Sequence, residues 1–226
     1  MVRSTVVFIT VSLTGVHPGQ PMLRSAARAG DQIAVTGFLG GSGGGLKLSL
    51  ESGLDSDHLS HGVSPKAAEY LHQCQRRPVP AVAQGRALAG SGVAAAIDVS
   101  DGLADDLSKL CLASGLAARL YTEQVPVHPM LKLAFPDNFM ELALNGGEDY
   151  VLLFAATPEL MNRVISLLPS EAAVVGEMLA GETGQVHTVD ASGAEHVAGP
   201  GGGPLRVTRE LYHHPNMHAG TDSRAG

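Results

Sequence analysis

Aromatic side chains are scarce in this chain of 226 residues: Phe, Tyr and Trp make up 4%, and Trp is absent. Any core must therefore be built from Leu, Val, Ile and Ala. Apolar residues reach 44% and charged ones only 16%, so the chain can bury a real core and does not have the composition of a disordered polymer. Positive charge is also short, with 15 Lys and Arg against 22 Asp and Glu, a net charge of −7. No dense basic run exists to track a phosphate backbone, and bases would find few rings to stack on, so nucleic-acid binding is disfavoured. Apolar runs stop well short of the ~18 residues a membrane helix needs, which argues against a membrane partner. The opening segment, residues 1–9, is short and lacks a small-residue cleavage site, so it reads as a strand rather than a signal peptide. There are two cysteines, Cys74 and Cys111, and no CxxC pair, which suits reduced thiols in the cytoplasm. At ~150 residues per domain, the length suggests one domain or one and a half.

Glycine, by contrast, is plentiful at 28 residues, and it punctuates the chain. Residues 5–14 are rich in β-branched side chains and predict a strand. A second short strand is expected at 33–36, then a glycine-rich turn at 37–45 that opens a helix near Leu46. The Gly40–Lys47 stretch lacks the Gly-Lys-Ser/Thr ending of a P-loop and reads as a flexible turn. A polar loop at 51–64 precedes Ser64-Pro65, a capped helix start, with the helix running to about Gln75. Further helices are expected at 81–89, 103–113 and 158–168, and a helical region at 129–144 broken near Pro136. In the 103–113 helix, Leu103, Leu107, Leu110 and Cys111 form one buried stripe. Strands are expected at 93–99, 117–121, 151–155 and 173–175, with a hairpin over 185–197. Strands alternate with helices, yet several strands neighbour one another through short turns, which favours a layered α+β fold. The Gly-, Pro- and His-rich end after Gly199 reads as a poorly ordered tail.

Chemistry concentrates at Asp98-Val99-Ser100-Asp101-Gly102, where an apolar strand turns into a helix. Ligands gather at such strand ends, and carboxylates there suit Mg²⁺ shared with substrate phosphates. The next helix would offer free N–H groups and a positive dipole end. Carboxylates and phosphates repel unless a metal lies between them, so the combination implies a metal–nucleotide ligand. Spacing alone leaves a second reading open, in which Ser100 or Asp101 simply caps the helix. Asp105 and Asp106, one turn on, read as a solvated face that suits the dipole. A second cluster is Asn145-Gly146-Gly147-Glu148-Asp149-Tyr150, either a ligand loop or a plain Gly-Gly turn.

These stretches resemble the thiamine-monophosphate kinase family. Residues 23–37, with Arg24-Ser25-Ala26 and Gly30-Asp31, are similar to its RSGAxPGDxIYVTG stretch. Residues 97–103 resemble its D-x-SDGL motif, and residues 144–153 its GGEDYELL motif. The likeness covers roughly residues 5–198. It implies an aminoimidazole-ribonucleotide-synthetase-like fold: an N-terminal domain that binds ATP and metal and makes a homodimer, and a layered α/β/α C-terminal domain. On that resemblance residues 1–22 would be a remnant strand and linker of the first domain, 23–198 the second domain, and 199–226 a tail. The implied reaction passes the γ-phosphoryl of ATP directly to thiamine phosphate, giving thiamine diphosphate. Asp98 and Asp101 would hold Mg²⁺, Arg24 and Ser100 would contact ATP, and Glu148 would meet thiamine phosphate. Tyr212, in a frayed version of the family's closing aromatic motif, would stack near the substrate. No residue is implied as a covalent nucleophile. The family's GGDT motif and most of its metal-binding acids would precede Met1, which leads one to expect a truncated chain, inactive alone. The alternatives are a nucleotide-binding remnant without catalysis and another member of the same superfamily.

Overall fold

The computed structural model describes residues 10–12, 14, 16, 19–52 and 62–198. Seven strands form one open sheet: β1 (Gln32–Val35), β2 (Ala95–Asp98), β3 (Ala117–Tyr121), β4 (Leu152–Ala156), β5 (Ala173–Leu179), β6 (Val186–Val189) and β7 (Glu195–Ala198). They lie in the order β2-β4-β1-β5-β3-β6-β7, antiparallel throughout except for the parallel pair β3 and β6. The helices are α1 (Gly41–Ser52), α2 (Pro65–Arg76), α3 (Val82–Gly90), α4 (Leu103–Ser114), α5 (Pro129–Ala134), α6 (Phe139–Asn145) and α7 (Pro158–Val164). None of the described helices is long and apolar enough to cross a membrane.

The period of two along a strand sorts its side chains onto two faces. Ile33 and Val35, Ala95 and Ile97, and Leu153 and Ala155 join one apolar cluster with Leu48, Leu71, Leu107, Leu131 and Leu142 from five helices. Their neighbours Ala34, Ala96, Phe154 and Ala156 face the other way and pack with Leu88 of α3 and Met161 and Val164 of α7. The centre of the sheet is thus covered on both sides, which is why β4 reads as an unbroken apolar run. The layered α+β expectation holds. The α4 stripe is as expected, with Leu103, Leu107, Leu110 and Cys111 all fully buried, and Gly115 ends the helix in the left-handed conformation (φ 71°). Ser64 caps α2, accepting from the Ala67 N–H at 3.3 Å.

The glycine-rich turn needs correcting. Gly41, Gly43, Gly44 and Gly45 are helical, although each costs about 1 kcal/mol relative to Ala in a helix interior. Packing outweighs propensity. A Cβ on Gly45 would lie 2.2 Å from the Leu71 carbonyl oxygen, and one on Gly44 would lie 2.7 Å from Leu131 Cδ1. Only a helix without side chains on that face can seat its backbone on α2. The helix also takes in Glu51 and Ser52 of the expected polar loop, of which residues 53–61 lie outside the described residues.

The expected strand at 5–14 is not seen where it can be judged. Residues 10–12 and 14 are in no strand, and 5–9 and 13 lie outside the described residues. A strand needs a hydrogen-bonded neighbour; among the described residues of the N-terminal segment, Leu23 bridges Ala95 on β2 and donates to the Ala94 carbonyl at 2.8 Å. The strand expected at 173–175 runs on to Leu179, because β1 and β3 pair with it on both sides. The expected tail, with Tyr212, lies outside the described residues.

Candidate functional site

Strand β2 ends at Asp98, and the chain turns through Val99–Gly102 into α4. The turn is organised from below by Asp106. Its Oδ2 accepts from the N–H groups of Ser100 (2.9 Å), Asp101 (2.9 Å) and Gly102 (3.2 Å), and its other oxygen meets Lys109 Nζ at 2.8 Å. Two expectations fall here. Asp106 is not on a solvated face but is 1% exposed. Neither Ser100 nor Asp101 caps α4, whose N-cap is Gly102 without a side-chain bond. The N–H groups of Ser100, Asp101 and Gly102, just ahead of α4, point back at Asp106 and are taken up by its carboxylate. An acid inside the first turn can reach back to satisfy them, and a second carboxylate is then not needed.

The second cluster lies against the first. Glu148 N–H donates to the Ser100 carbonyl and Tyr150 N–H to the Val99 carbonyl, each at 2.9 Å. A Cβ on Gly147 would sit 2.6 Å from the Ser100 oxygen, so glycine is required for this approach. Glu148 (φ 68°) and Tyr150 (φ 52°) both hold the left-handed conformation, costly for side chains of this kind. Tyr150 donates its hydroxyl to Glu148 Oε2 at 3.0 Å. That bond and the charge of Glu148 raise the Tyr150 pKa, with smaller contributions from burial and from the charges of Asp98 and Asp101. Three acids from two loops thus act on one phenol.

Asp149, between the two left-handed residues, reaches the opposite way. Its carboxylate accepts from the N–H of Gly40 (2.6 Å) and of Ser42 (3.0 Å), capping α1 from a distant part of the chain. Burial pushes its pKa up to about 6, more than the N–H groups of Ser42, Gly40 and Gly41 lower it. Tyr70 and Cys74 of α2 lie beside it. A carboxyl that titrates higher folded than unfolded binds its proton more tightly in the folded chain. Its contribution to stability is therefore full below about pH 4 and declines as pH rises to about 6. A gap of this size is worth up to ~3 kcal/mol. The expected outcome is that Asp149→Asn removes a fall in the melting temperature between pH 4 and pH 6; identical pH profiles for the two proteins would contradict it.

Of the residues singled out from sequence, Arg24 and Asp98 come together, with Nη2 3.8 Å from Oδ1 and both side chains about half exposed. The Ser114 hydroxyl donates to the Arg24 carbonyl at 2.8 Å, tying that segment to the end of α4. Asp101 is exposed and ion-pairs with Lys109, which also meets Asp105 at 2.8 Å. Ser100 supplies backbone contacts to both Asp106 and Glu148. Sequence reasoning missed Lys109 and the roles of Asp106 and Asp149. An acid three to four residues into a helix, after a loop of small residues, was the available signal for Asp106. For Asp149 no local signal existed, since its partners lie 107 and 109 residues away. An apolar hollow of about 810 Å³ around α3, lined by Pro21, Met22, Val82 and Arg86 among others, contains none of these residues.

An open mixed sheet with helices on both faces, and an acidic strand-end turn buttressed by a Gly-Gly loop, define the class. The chain belongs to the family described as "AIR synthase related protein, C-terminal domain", which it matches over residues 28–189. Within that class it is similar to thiamine-monophosphate kinases. The one from Escherichia coli O157:H7 is 34% identical over 205 residues, 85% of this chain and 60% of the relative. The crystal structure of thiamine-monophosphate kinase from Stenotrophomonas maltophilia K279a superposes with a TM-score of 0.67 at 32% identity, covering 76% of this chain and 54% of that one. A structure described as "AaThiL complexed with AMPPCP and TMP" superposes with a TM-score of 0.62 at 30% identity, covering 74% of this chain and 50% of that one. The chain therefore spans between half and about 60% of the length of these relatives.

Proposed function

We propose that this chain serves in a cytoplasmic thiamine-monophosphate kinase, transferring the γ-phosphoryl group of ATP to thiamine phosphate to give thiamine diphosphate. One observation carries the reading: the two loops that resemble the family's motifs are hydrogen-bonded to each other, with Glu148 N–H on the Ser100 carbonyl, so the acids on both serve one site. The names of the relatives, and the ATP-analogue and TMP complex of one of them, support it.

In this reading Arg24 and Ser100 contact ATP, Glu148 meets thiamine phosphate, and Tyr212 stacks near it. Asp98 and Asp101 suit Mg²⁺: both turn carboxylate oxygens to solvent, Asp98 half exposed with a long contact to Arg24 and Asp101 exposed beside Lys109. Asp106 does not suit it, because one of its oxygens already serves three N–H groups. Mg²⁺ bound there would offset the repulsion between carboxylates and phosphates. The rest is positioning, since phosphoryl transfer passes through a loose transition state with little covalent work for the protein. Arg24, half exposed, can turn its planar fork of donors toward phosphate oxygens. No side chain need become phosphorylated, because the acceptor is the phosphate of the second substrate.

The test is calorimetry with Mg–AMPPCP and thiamine phosphate, followed by identification of the product formed from ATP. Glu148→Gln is expected to weaken thiamine phosphate and leave Mg–AMPPCP bound, and Asp98→Asn to weaken Mg–AMPPCP. Binding of plain thiamine as tightly as thiamine phosphate would sink the reading.

A further inference from the structure

We infer that Asp149 is a positioning residue, a latch that fastens the loop carrying Glu148 and Tyr150 to the N-terminus of α1 and so sets where Glu148 meets thiamine phosphate. The inference rests on the role proposed above for Glu148.

The residues on either side of Asp149, Glu148 and Tyr150, sit in the left-handed region. Such residues persist only where their surroundings over-determine them. On one side the constraint is visible: the backbone N–H groups of Glu148 and Tyr150 are fixed to the 99–100 turn. Those bonds alone tether the loop along one edge. The second edge is held by the Asp149 carboxylate, which spans the Gly40 and Ser42 N–H groups at 2.6 and 3.0 Å. Both bonds are charge-assisted and lie at a helix N-terminus, where a carboxylate is favoured. The two backbones also touch directly, since a Cβ on Gly43 would lie 3.0 Å from Gly146 Cα. Cys74 fills the remaining space, its Sγ 3.0 Å from where a Gly41 Cβ would be.

The glycines of α1 thus serve a second purpose. They let the first turn of α1 come close enough to the loop for one carboxylate to bridge to two of its amides. Without that bridge, Glu148 and Tyr150 are free to relax to the extended conformations their side chains prefer, and the Glu148 carboxylate moves with them. The latch fastens the loop that carries Glu148, whereas Arg24 and Asp98 stand on other segments, ahead of β1 and at the end of β2, so its loss bears on one ligand more than on the other.

The experiment measures two affinities and one exchange rate in wild type, Asp149→Asn, Asp149→Ala and Glu148→Gln. Asn offers one oxygen where Asp offers two, so Asp149→Asn keeps part of the cap and preserves folding should the Ala variant not fold. For Asp149→Asn the expected result is thiamine phosphate bound about tenfold more weakly, Mg–AMPPCP within about twofold of wild type, and Gly40 and Ser42 amides exchanging about tenfold faster. Unchanged thiamine phosphate affinity overturns the inference, as does unchanged exchange. Equal weakening of both ligands also overturns it, because that marks a general loss of structure. Glu148→Gln separates the two claims. If it binds thiamine phosphate like wild type, the role of Glu148 fails; if it loses thiamine phosphate while Asp149→Asn does not, the latch alone fails.

Discussion

Gly45→Ala is expected to destabilise the chain by about 3 kcal/mol or more, near or above the upper end of what forcing an extra methyl into a packed core costs. The sign makes this diagnostic. In an ordinary helix interior Gly→Ala gains about 1 kcal/mol, because alanine loses less conformational freedom on folding. At Gly45 the added methyl would lie 2.2 Å from a carbonyl oxygen of α2 and 2.8 Å from Gln75 Cβ. Backbone cannot rotate away as a flexible side chain can, so α1 and α2 must separate and uncover Leu48 and Leu71, both buried. Gly90→Ala in α3 is the control, since a Cβ there meets nothing within 4 Å. It is expected to be neutral or stabilising by up to about 1 kcal/mol. Urea unfolding of the two variants reads the contrast directly. Equal stabilities would mean that α1 and α2 do not touch through their backbones.

Asp106→Ala is expected to cost about 3–5 kcal/mol, the range for breaking a buried charged pair by removing one partner. Three backbone N–H groups lose their acceptor, and Lys109 loses the buried member of its three acids. Each buried donor left unpaired costs roughly 1–3 kcal/mol, though solvent can reach the exposed Asp101 end of the turn. Asp105→Ala removes a half-exposed partner of the same lysine and is expected to cost less than ~1 kcal/mol. Thermal unfolding of both, with amide exchange at Ser100 and Asp101, distinguishes a turn built on Asp106 from a mere cluster of surface acids. Similar losses for the two variants would rule out the former.

How much of this was legible in the sequence depends on the range of the forces involved. The α4 stripe, the Ser64-Pro65 start of α2 and the 185–197 hairpin were readable because period, caps and turns are local. The α1 glycines misled because propensity is local and the backbone contact that overrides it comes from Leu71, in another helix. Asp98, Asp101 and Glu148 stood out by type and motif. That Glu148 is hydrogen-bonded to the Ser100 turn is a matter of strand order, since β2 and β4 are neighbours in space but more than fifty residues apart in the chain. Asp106 and Asp149 were visible only as acids; their burial, which gives them their work, is a tertiary property.

The strand order also has a temporal side. The first strand among the described residues, Gln32–Val35, pairs with Leu152–Ala156 on one side and Ala173–Leu179 on the other. While the chain is emerging from a ribosome, this strand waits for both of these partners, which follow it by more than a hundred residues. The glycine-rich helix α1 can dock on α2 long before that, as only residues 53–64 separate the two. By sequence separation alone, the topology favours a helical pair formed early and a sheet centre closed late.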